Sequence, residues 1–424
     1  MLKLIFSDSK GRIFVHPSLE ATGMKAGTPF SLSGKEFIKL PPGSRLFMLP
    51  DRRPVGYDAS KKAFAVLDGS FAVAAFISPG FTATYSSSYK EIGRPKPLPL
   101  FSYSAVAAHK GELYVAAVRV DKDPRHDSQF IDMSIVRKNI KKLRKILVNN
   151  RISRHLENCA LRYGCVGAQN FFLGKHEGPL PSSPYCNARC IGCISYKYAN
   201  ACAGTQPRIK FIPTPQEVSQ IALFHMNNVP DAVVSFGQGC EGEPLLNSRL
   251  IEESIRLIRN STSKGTININ TNASSPDAIS ALFDAGLDSI RVSLNSTRSV
   301  YYHRYYKPVR YTFKDVMRSI GIAKSKNGYV SINYLTMPGF TDSLDEYLAM
   351  KRLIKDYDID MVQWRNLNFD PLLYFKKLKI ENGEGALIGI RQVINSLKQD
   401  YPKLLTGYFN PRVIASRHLR RRAV

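Results

Sequence analysis

The sequence lacks any long apolar run. Among its 424 residues there is no stretch of about eighteen consecutive apolar side chains, so we expect that no segment spans a membrane. The first residues turn polar at Ser7, too early for the apolar core of a secretory signal peptide. Both absences predict a cytoplasmic protein without a membrane partner.

Cysteine is scarce and unevenly placed. The chain has seven cysteines, an odd number, and in a protein without a secretion signal this argues against a disulfide framework. All seven lie between Cys159 and Cys240, a clustering that favours metal chemistry over scattered core thiols. The eight histidines show no spacing typical of a metal site.

Acidic residues are outnumbered by basic ones, 34 to 60, which gives a formal charge of +26. Residues 201–300 are nearly neutral, with 8 basic and 9 acidic groups, whereas residues 1–200 carry 30 and 14 and residues 301–424 carry 22 and 11. A basic excess of this size attracts polyanions such as nucleic acid, phosphorylated metabolites or an acidic protein. Solubility alone explains the charge equally well.

The first 164 residues divide into two parts. Residues 1–130 read as a β-rich N-terminal domain, because short alternating runs at 63–67, 71–77 and 112–120 are separated by Pro/Gly turns. Residues 131–164 read as a basic helical connector. Its first helix presents apolar residues at helical spacing on one face, and the basic residues opposite them form either a solvated face or a contact with RNA or phosphate.

Strand-like and helix-like segments alternate over residues 165–370. Short apolar runs lie at 232–236, 266–270, 289–294, 330–334 and 360–364, and capped helical segments separate them. This alternation predicts an α/β fold with a parallel sheet, whose chemistry lies at the carboxyl ends of the strands. The remaining residues, 371–424, read as a basic helical C-terminal extension.

Three cysteines stand within eight residues on a predicted loop: Cys186, Cys190 and Cys193. Thiolates are the natural ligands of iron–sulfur clusters, and three of them leave one iron open for a cofactor or substrate. A structural zinc site is the alternative, and it would take its fourth ligand from Cys159, Cys165 or Cys202. Otherwise we expect those three to be ordinary thiols, with an auxiliary cluster or a thiol that takes part in the chemistry as the alternative.

The loop and the segments after it resemble the radical S-adenosylmethionine (radical SAM) superfamily. The Cys-x3-Cys-x2-Cys spacing with Asn187 after the first cysteine is similar to the family's cluster loop, although Gly192 stands where the family usually has an aromatic residue. The segment 237–246 resembles its glycine–glutamate segment. Independently, glycines allow close backbone approach to a ligand, and a carboxylate can hold an ammonium group. The resemblance implies a partial (β/α)6 radical SAM barrel preceded by the β-rich N-terminal domain.

The resemblance also implies the cofactors and their contacts. A [4Fe-4S] cluster on the three cysteines would bind S-adenosyl-L-methionine, and an electron from a donor such as flavodoxin or ferredoxin would release a 5′-deoxyadenosyl radical that abstracts hydrogen from a substrate. The residues that match the family's cofactor contacts are Gly242, Glu243, Asn272, Ser293 and Asn295.

The substrate is not evident from the sequence. The predicted strand at 360–364 is followed by three candidate substrate contacts, Arg365, Asn368 and Asp370. Among them, an arginine suits a carboxylate or phosphate group. The charge favours RNA or nucleotide modification over peptide or small-metabolite chemistry, and the aromatic–basic segment 301–307 is consistent with RNA contact. The alternative is a non-enzymatic nucleic-acid-binding protein with structural zinc on the same cysteines.

Overall fold

A computed structural model describes residues 1–123, 125, 130–196, 205–380 and 385–413. Cys202 and the last eleven residues lie outside the described part. Within the described residues, none of the helices combines the length and the apolar character that crossing a bilayer requires.

The N-terminal domain is built from fourteen strands, which confirms its predicted β-rich character. Eleven of them form one antiparallel sheet, and β3, β4 and β11 form a second. The strands are β1 Lys3–Ser7, β2 Ile13–Glu20, β3 Thr22–Lys25, β4 Thr28–Ser31, β5 Phe37–Lys39, β6 Arg45–Leu49, β7 Arg52–Asp58, β8 Ala63–Val66, β9 Phe71–Phe76, β10 Phe81–Ala83, β11 Ser86–Ser87, β12 Tyr89–Glu91, β13 Val106–His109 and β14 Glu112–Arg119.

Three helices connect this domain to the parallel sheet: α1 Met133–Ile146, α2 Arg151–Arg162 and α3 Val166–Phe172. Asp132 caps α1 by accepting hydrogen bonds from two backbone amides of its first turn. The apolar face of α1 is buried in the same core as the parallel sheet. The basic residues on its other face are all exposed: Arg137, Lys138, Lys141, Lys142, Arg144 and Lys145.

Seven parallel strands form the third sheet, in chain order β15 to β21. They are β15 Glu177–Pro179, β16 Val233–Phe236, β17 Thr266–Thr271, β18 Ser289–Leu294, β19 Tyr329–Thr336, β20 Met361–Asn366 and β21 Leu405–Gly407. The accompanying helices are α4 Pro215–Asn228, α5 Ser248–Ser261, α6 Pro276–Ala285, α7 Ser299–Tyr306, α8 Phe313–Ser325, α9 Leu344–Tyr357, α10 Pro371–Leu378 and α11 Ile390–Asp400.

The sheet curls into a half-barrel, which confirms the predicted fold class. Strands β16 to β20 match the five predicted apolar runs, whereas β15 lies before the first of those runs and β21 comes from the segment read as helical. This strand is only three residues long and pairs with β20 from Met361 to Gln363, so local periodicity could not reveal it.

Side chains on the two faces of the curled sheet differ sharply. The outward face carries apolar residues such as Ile267, Ile290 and Val362, which are buried against the helices. The inward face carries polar residues that bond to one another across strands. They include Ser235, Asn268, Asn270, Ser289, Arg291, Asn333, Gln363 and Arg365. The lumen of the half-barrel is therefore polar.

The N-terminal domain packs against the carboxyl ends of the last strands. Two ion pairs with almost completely buried side chains join the units: Lys25 Nζ lies 2.6 Å from Asp342 Oδ2, and Arg52 Nη2 lies 2.9 Å from Asp370 Oδ2. Asn366 at the end of β20 bonds to the backbone of strand β10 through both atoms of its amide. The domain thus flanks the edge of the sheet where chemistry is expected.

Candidate active site

The loop with Cys186, Cys190 and Cys193 leaves the carboxyl end of β15 and lies over the end of α7. Its backbone is held there because the amides of Arg189 and Ile191 donate to the carbonyls of two residues of α7, at 2.9 and 3.1 Å. The tyrosines of that helix turn are buried beneath the loop: Tyr302, Tyr305 and Tyr306. They are therefore not free to stack on RNA bases.

The three cysteine residues are half-buried, and the charges of Cys186 and Cys193 act on Cys190. Burial raises the pKa of Cys186 to about 11, and it raises the pKa of Cys190 as well, since a thiolate without a partner is poorly solvated there. Arg208 Nη2 lies 3.6 Å from Cys193 Sγ and supplies positive charge. Half-buried thiols beside an arginine suit an iron–sulfur cluster, because the iron ions replace the thiol protons and the arginine stabilises the thiolates.

The glycine–glutamate segment lies alongside the chain that leads into this loop. The amide of Gly242 donates to Ser183 O, and the amide of Glu243 donates to Tyr185 O, both at 2.7 Å. A Cβ atom at Gly242 would stand 1.9 Å from Tyr185 O, so only glycine permits this approach. The close approach fixes the position of Cys186, the next residue along.

Glu243 is buried and its carboxylate is the centre of a polar network. It accepts hydrogen bonds from the Thr271 hydroxyl and from the backbone amides of Leu245 and Asn272. Burial outweighs these donors and raises the pKa of Glu243 to about 7. The Asn272 amide group donates to Asn187 Oδ1 at 2.8 Å, so the network reaches the cysteine loop.

The structure therefore brings Gly242, Glu243 and Asn272 together beside the cysteine loop. Ser293 lies apart from them in the lumen, where it accepts a hydrogen bond from Asn333. Asn295 is fully buried, and its Oδ1 atom has no hydrogen-bond partner among the described residues. A buried acceptor without a donor carries a cost that a ligand's donor would remove.

The three candidate substrate residues have different surroundings. Arg365 donates to Tyr408 O at 2.8 Å, stacks over the Tyr408 ring and faces the lumen. Asn368 is half-buried in the following loop. Asp370 is buried, caps α10 and pairs with Arg52 of the N-terminal domain. Its carboxylate thus already has structural partners.

Sequence reasoning missed Arg291, the second arginine of the lumen. It lies on the inward face of β18, its Nη1 is 3.4 Å from Gln363 Oε1, and its Nε has no hydrogen-bond partner among the described residues. Burial and then repulsion from Arg365 lower the pKa of Arg291 to about 9. Inward alternation along β18 is the signal that could have found it.

A cavity of about 240 Å³ lies between these arginines. Its other walls include Glu177 on β15, Asn270 on β17 and the loop from Gly237 after β16. Gln206 also lines it, and the backbone amide of Gln206 donates to Ile194 O next to the cysteine loop. The cavity and the cysteines thus share one edge of the half-barrel.

Comparison with known proteins finds one family model and one curated relative. Residues 180–350 match the family model of the radical SAM superfamily. The chain is 23% identical to the uncharacterized protein MJ0804 of Methanocaldococcus jannaschii over 273 residues, which is 61% of this chain and 85% of that protein.

Two solved structures resemble the chain weakly. Methylornithine synthase (PylB) aligns with a TM-score of 0.38 and 15% identity, covering 64% of this chain and 77% of that one. Streptococcus suis SuiB bound to S-adenosylmethionine aligns with a TM-score of 0.37 and 14% identity, covering 66% of this chain and 61% of that one.

Proposed function

We propose that this chain, a radical SAM enzyme by virtue of the domain at residues 180–350, acts on an anionic substrate whose charged group enters the lumen of the half-barrel. The superfamily uses a [4Fe-4S] cluster and S-adenosyl-L-methionine. Cys186, Cys190 and Cys193 are the proposed cluster ligands. The proposed cofactor contacts are Gly242, Glu243, Asn272, Ser293 and Asn295.

The single observation that carries the substrate class is the pair of arginines in the polar lumen. Neither Arg291 nor Arg365 forms an ion pair within 4.0 Å among the described residues, although Glu177 lines the same cavity and attracts Arg291. Two neighbouring guanidinium groups repel one another, and a phosphate or carboxylate between them would remove that repulsion. The cavity next to the cysteine loop has room for such a group.

When bound, the cluster and S-adenosyl-L-methionine supply the radical that abstracts hydrogen. The chain itself contributes position and shielding. Arg291 and Arg365 hold the anionic end of the substrate, Glu243 fixes the loop end at Asn272, and Arg208 offsets thiolate charge at Cys193. The N-terminal domain flanks the ends of β19 and β20, where it restricts access of water.

The enzyme class is tested by anaerobic purification, iron and zinc analysis, and incubation with dithionite and S-adenosylmethionine. We expect about four irons per chain and formation of 5′-deoxyadenosine, both lost in Cys190→Ala. Stoichiometric zinc on these cysteines and no cleavage after reconstitution would instead support the nucleic-acid-binding alternative.

The substrate class is tested separately with Arg291→Gln and Arg365→Gln. Inorganic phosphate should raise the melting temperature of the wild type but not that of either variant, while slow cofactor cleavage without substrate continues in all of them. Arg256→Gln is the matched control, because its ion pair with Glu252 is exposed. Loss of S-adenosylmethionine binding in the variants would assign the arginines to the cofactor instead.

A nucleic-acid substrate is the second version of this proposal. The exposed basic residues along α1 favour it, because such a face can contact successive phosphates. Bulk RNA should then be retained at low salt and released steeply as salt rises. No retention at low salt would exclude RNA and leave a small anionic substrate.

A further inference from the structure

A second group of potential metal ligands lies outside the cysteine loop. His155 Nε2, Cys159 Sγ and Cys240 Sγ all lie within 4.8 Å of one another. Neither the spacing of the histidines nor that of the cysteines predicts this group, since Cys240 is 81 positions beyond Cys159 in the sequence. The fold assembles it where α2 packs beside the loop after β16.

Helix geometry places two of the ligands on one face. His155 and Cys159 are four residues apart on α2, so their side chains project from successive turns in the same direction. Cys159 Sγ and His155 Nε2 are 3.5 Å apart. An edge of about 3.5 Å is what a tetrahedral zinc ion requires between a nitrogen ligand at about 2.0 Å and a sulfur ligand at about 2.3 Å.

The third ligand comes from the opposite side. Cys240 is 4% exposed, and its thiol lies within 4.8 Å of the Cys159 thiol and of the His155 ring nitrogen. The backbone amide of Cys165 donates to Cys159 O at 3.0 Å, but the Cys165 side chain lines the lumen cavity and is not part of this group. One imidazole and two thiols match the three protein ligands of a zinc site whose fourth position takes a ligand from outside the chain.

We propose that His155, Cys159 and Cys240 bind one zinc ion that ties helix α2 to the glycine–glutamate loop. A single ion is favoured over a second iron–sulfur cluster, since thiolates of a cluster bind different irons and stand further apart than ligands sharing one ion. The loop so anchored also carries Glu241, whose carboxylate accepts from the amides of Ser182 and Ser183 just before the cysteine loop.

The test separates this site from the cluster. In anaerobically purified full-length protein we expect about one zinc per chain beside the iron. The triple variant Cys186→Ala/Cys190→Ala/Cys193→Ala should keep the zinc and lose the iron. His155→Ala and Cys159→Ser should lose most of the zinc and keep cluster iron, whereas His16→Ala in the N-terminal domain should keep both.

A second readout does not depend on those ligand variants folding. Cobalt(II) added to the metal-free triple variant should give the visible d–d bands of tetrahedral coordination and thiolate-to-cobalt charge transfer. Absence of these bands, zinc that disappears with the cluster cysteines, or a Cys159–Cys240 disulfide in the anaerobic protein would overturn the proposal. Failure of cofactor cleavage would affect the proposed function and not this site, because its readouts are zinc and cobalt.

Discussion

Gly242→Ala is the sharpest single test of how the site is built. The added Cβ would stand 1.9 Å from Tyr185 O, whereas real Cβ atoms essentially never come within 3.0 Å of another atom, so the two segments must separate by roughly 1 Å. Both 2.7 Å hydrogen bonds that join them, from Gly242 and Glu243, would then be broken. Two buried backbone bonds left unmade cost about 2–6 kcal/mol together.

The displacement would pass directly to Cys186, which follows Tyr185. A misplacement of about 1 Å in a reacting assembly costs on the order of 100-fold in rate, so we expect 5′-deoxyadenosine formation to fall by about that factor. Iron content after anaerobic reconstitution and the urea midpoint of unfolding should fall with it. Gly34→Ala is the control, because a Cβ there meets nothing within 4 Å. Normal iron content and cleavage in Gly242→Ala would refute the reasoning.

Two further predictions concern stability. Arg52→Met leaves the buried Asp370 carboxylate without its cation and should lower the free energy of unfolding in urea by about 3–5 kcal/mol. Arg53→Met is the control, because it removes only an exposed ion pair and should lower that free energy by less than about 1 kcal/mol. Equal losses in the two variants would contradict this reasoning. Hydrogen bonds from Arg151 and from backbone amides lower the pKa of Glu217 from 4.5 to about 2, although burial opposes them. The contribution of Glu217 to the free energy of unfolding is therefore complete above pH 4.5 and is lost as the pH falls towards 2. Glu217→Gln should remove that pH dependence, as measured by melting temperature at each pH.

The N-terminal domain contacts the parallel sheet beside the candidate active site. The Thr82 hydroxyl donates to Trp364 O at 2.8 Å, and Asn366 bonds to strand β10. These contacts lie at the carboxyl end of β20, next to Arg365 of the lumen. The β-rich domain therefore forms part of the wall around the candidate active site.

Several features were determined by the sequence alone. The Cys-x3-Cys-x2-Cys spacing predicts a cluster loop, and the match of residues 180–350 to the radical SAM superfamily confirms the family resemblance from which that prediction was made. Local rules also located helices correctly: Thr214 and Glu217 form the expected capping box of α4, and Gly286 ends α6 with a φ of 113°. Such features depend on neighbours within a few residues, which is why periodicity and spacing reveal them.

Only the tertiary structure decided which distant residues meet. The sequence does not single out Arg291, which the curl of the sheet places beside Arg365. Nor does it show that Arg52 meets the carboxylate of Asp370 from more than 300 positions earlier. His155 and Cys240 come together in the same way. Partners of this kind are set by how strands and domains pack, and the local sequence carries no periodic signal for contacts between segments so far apart.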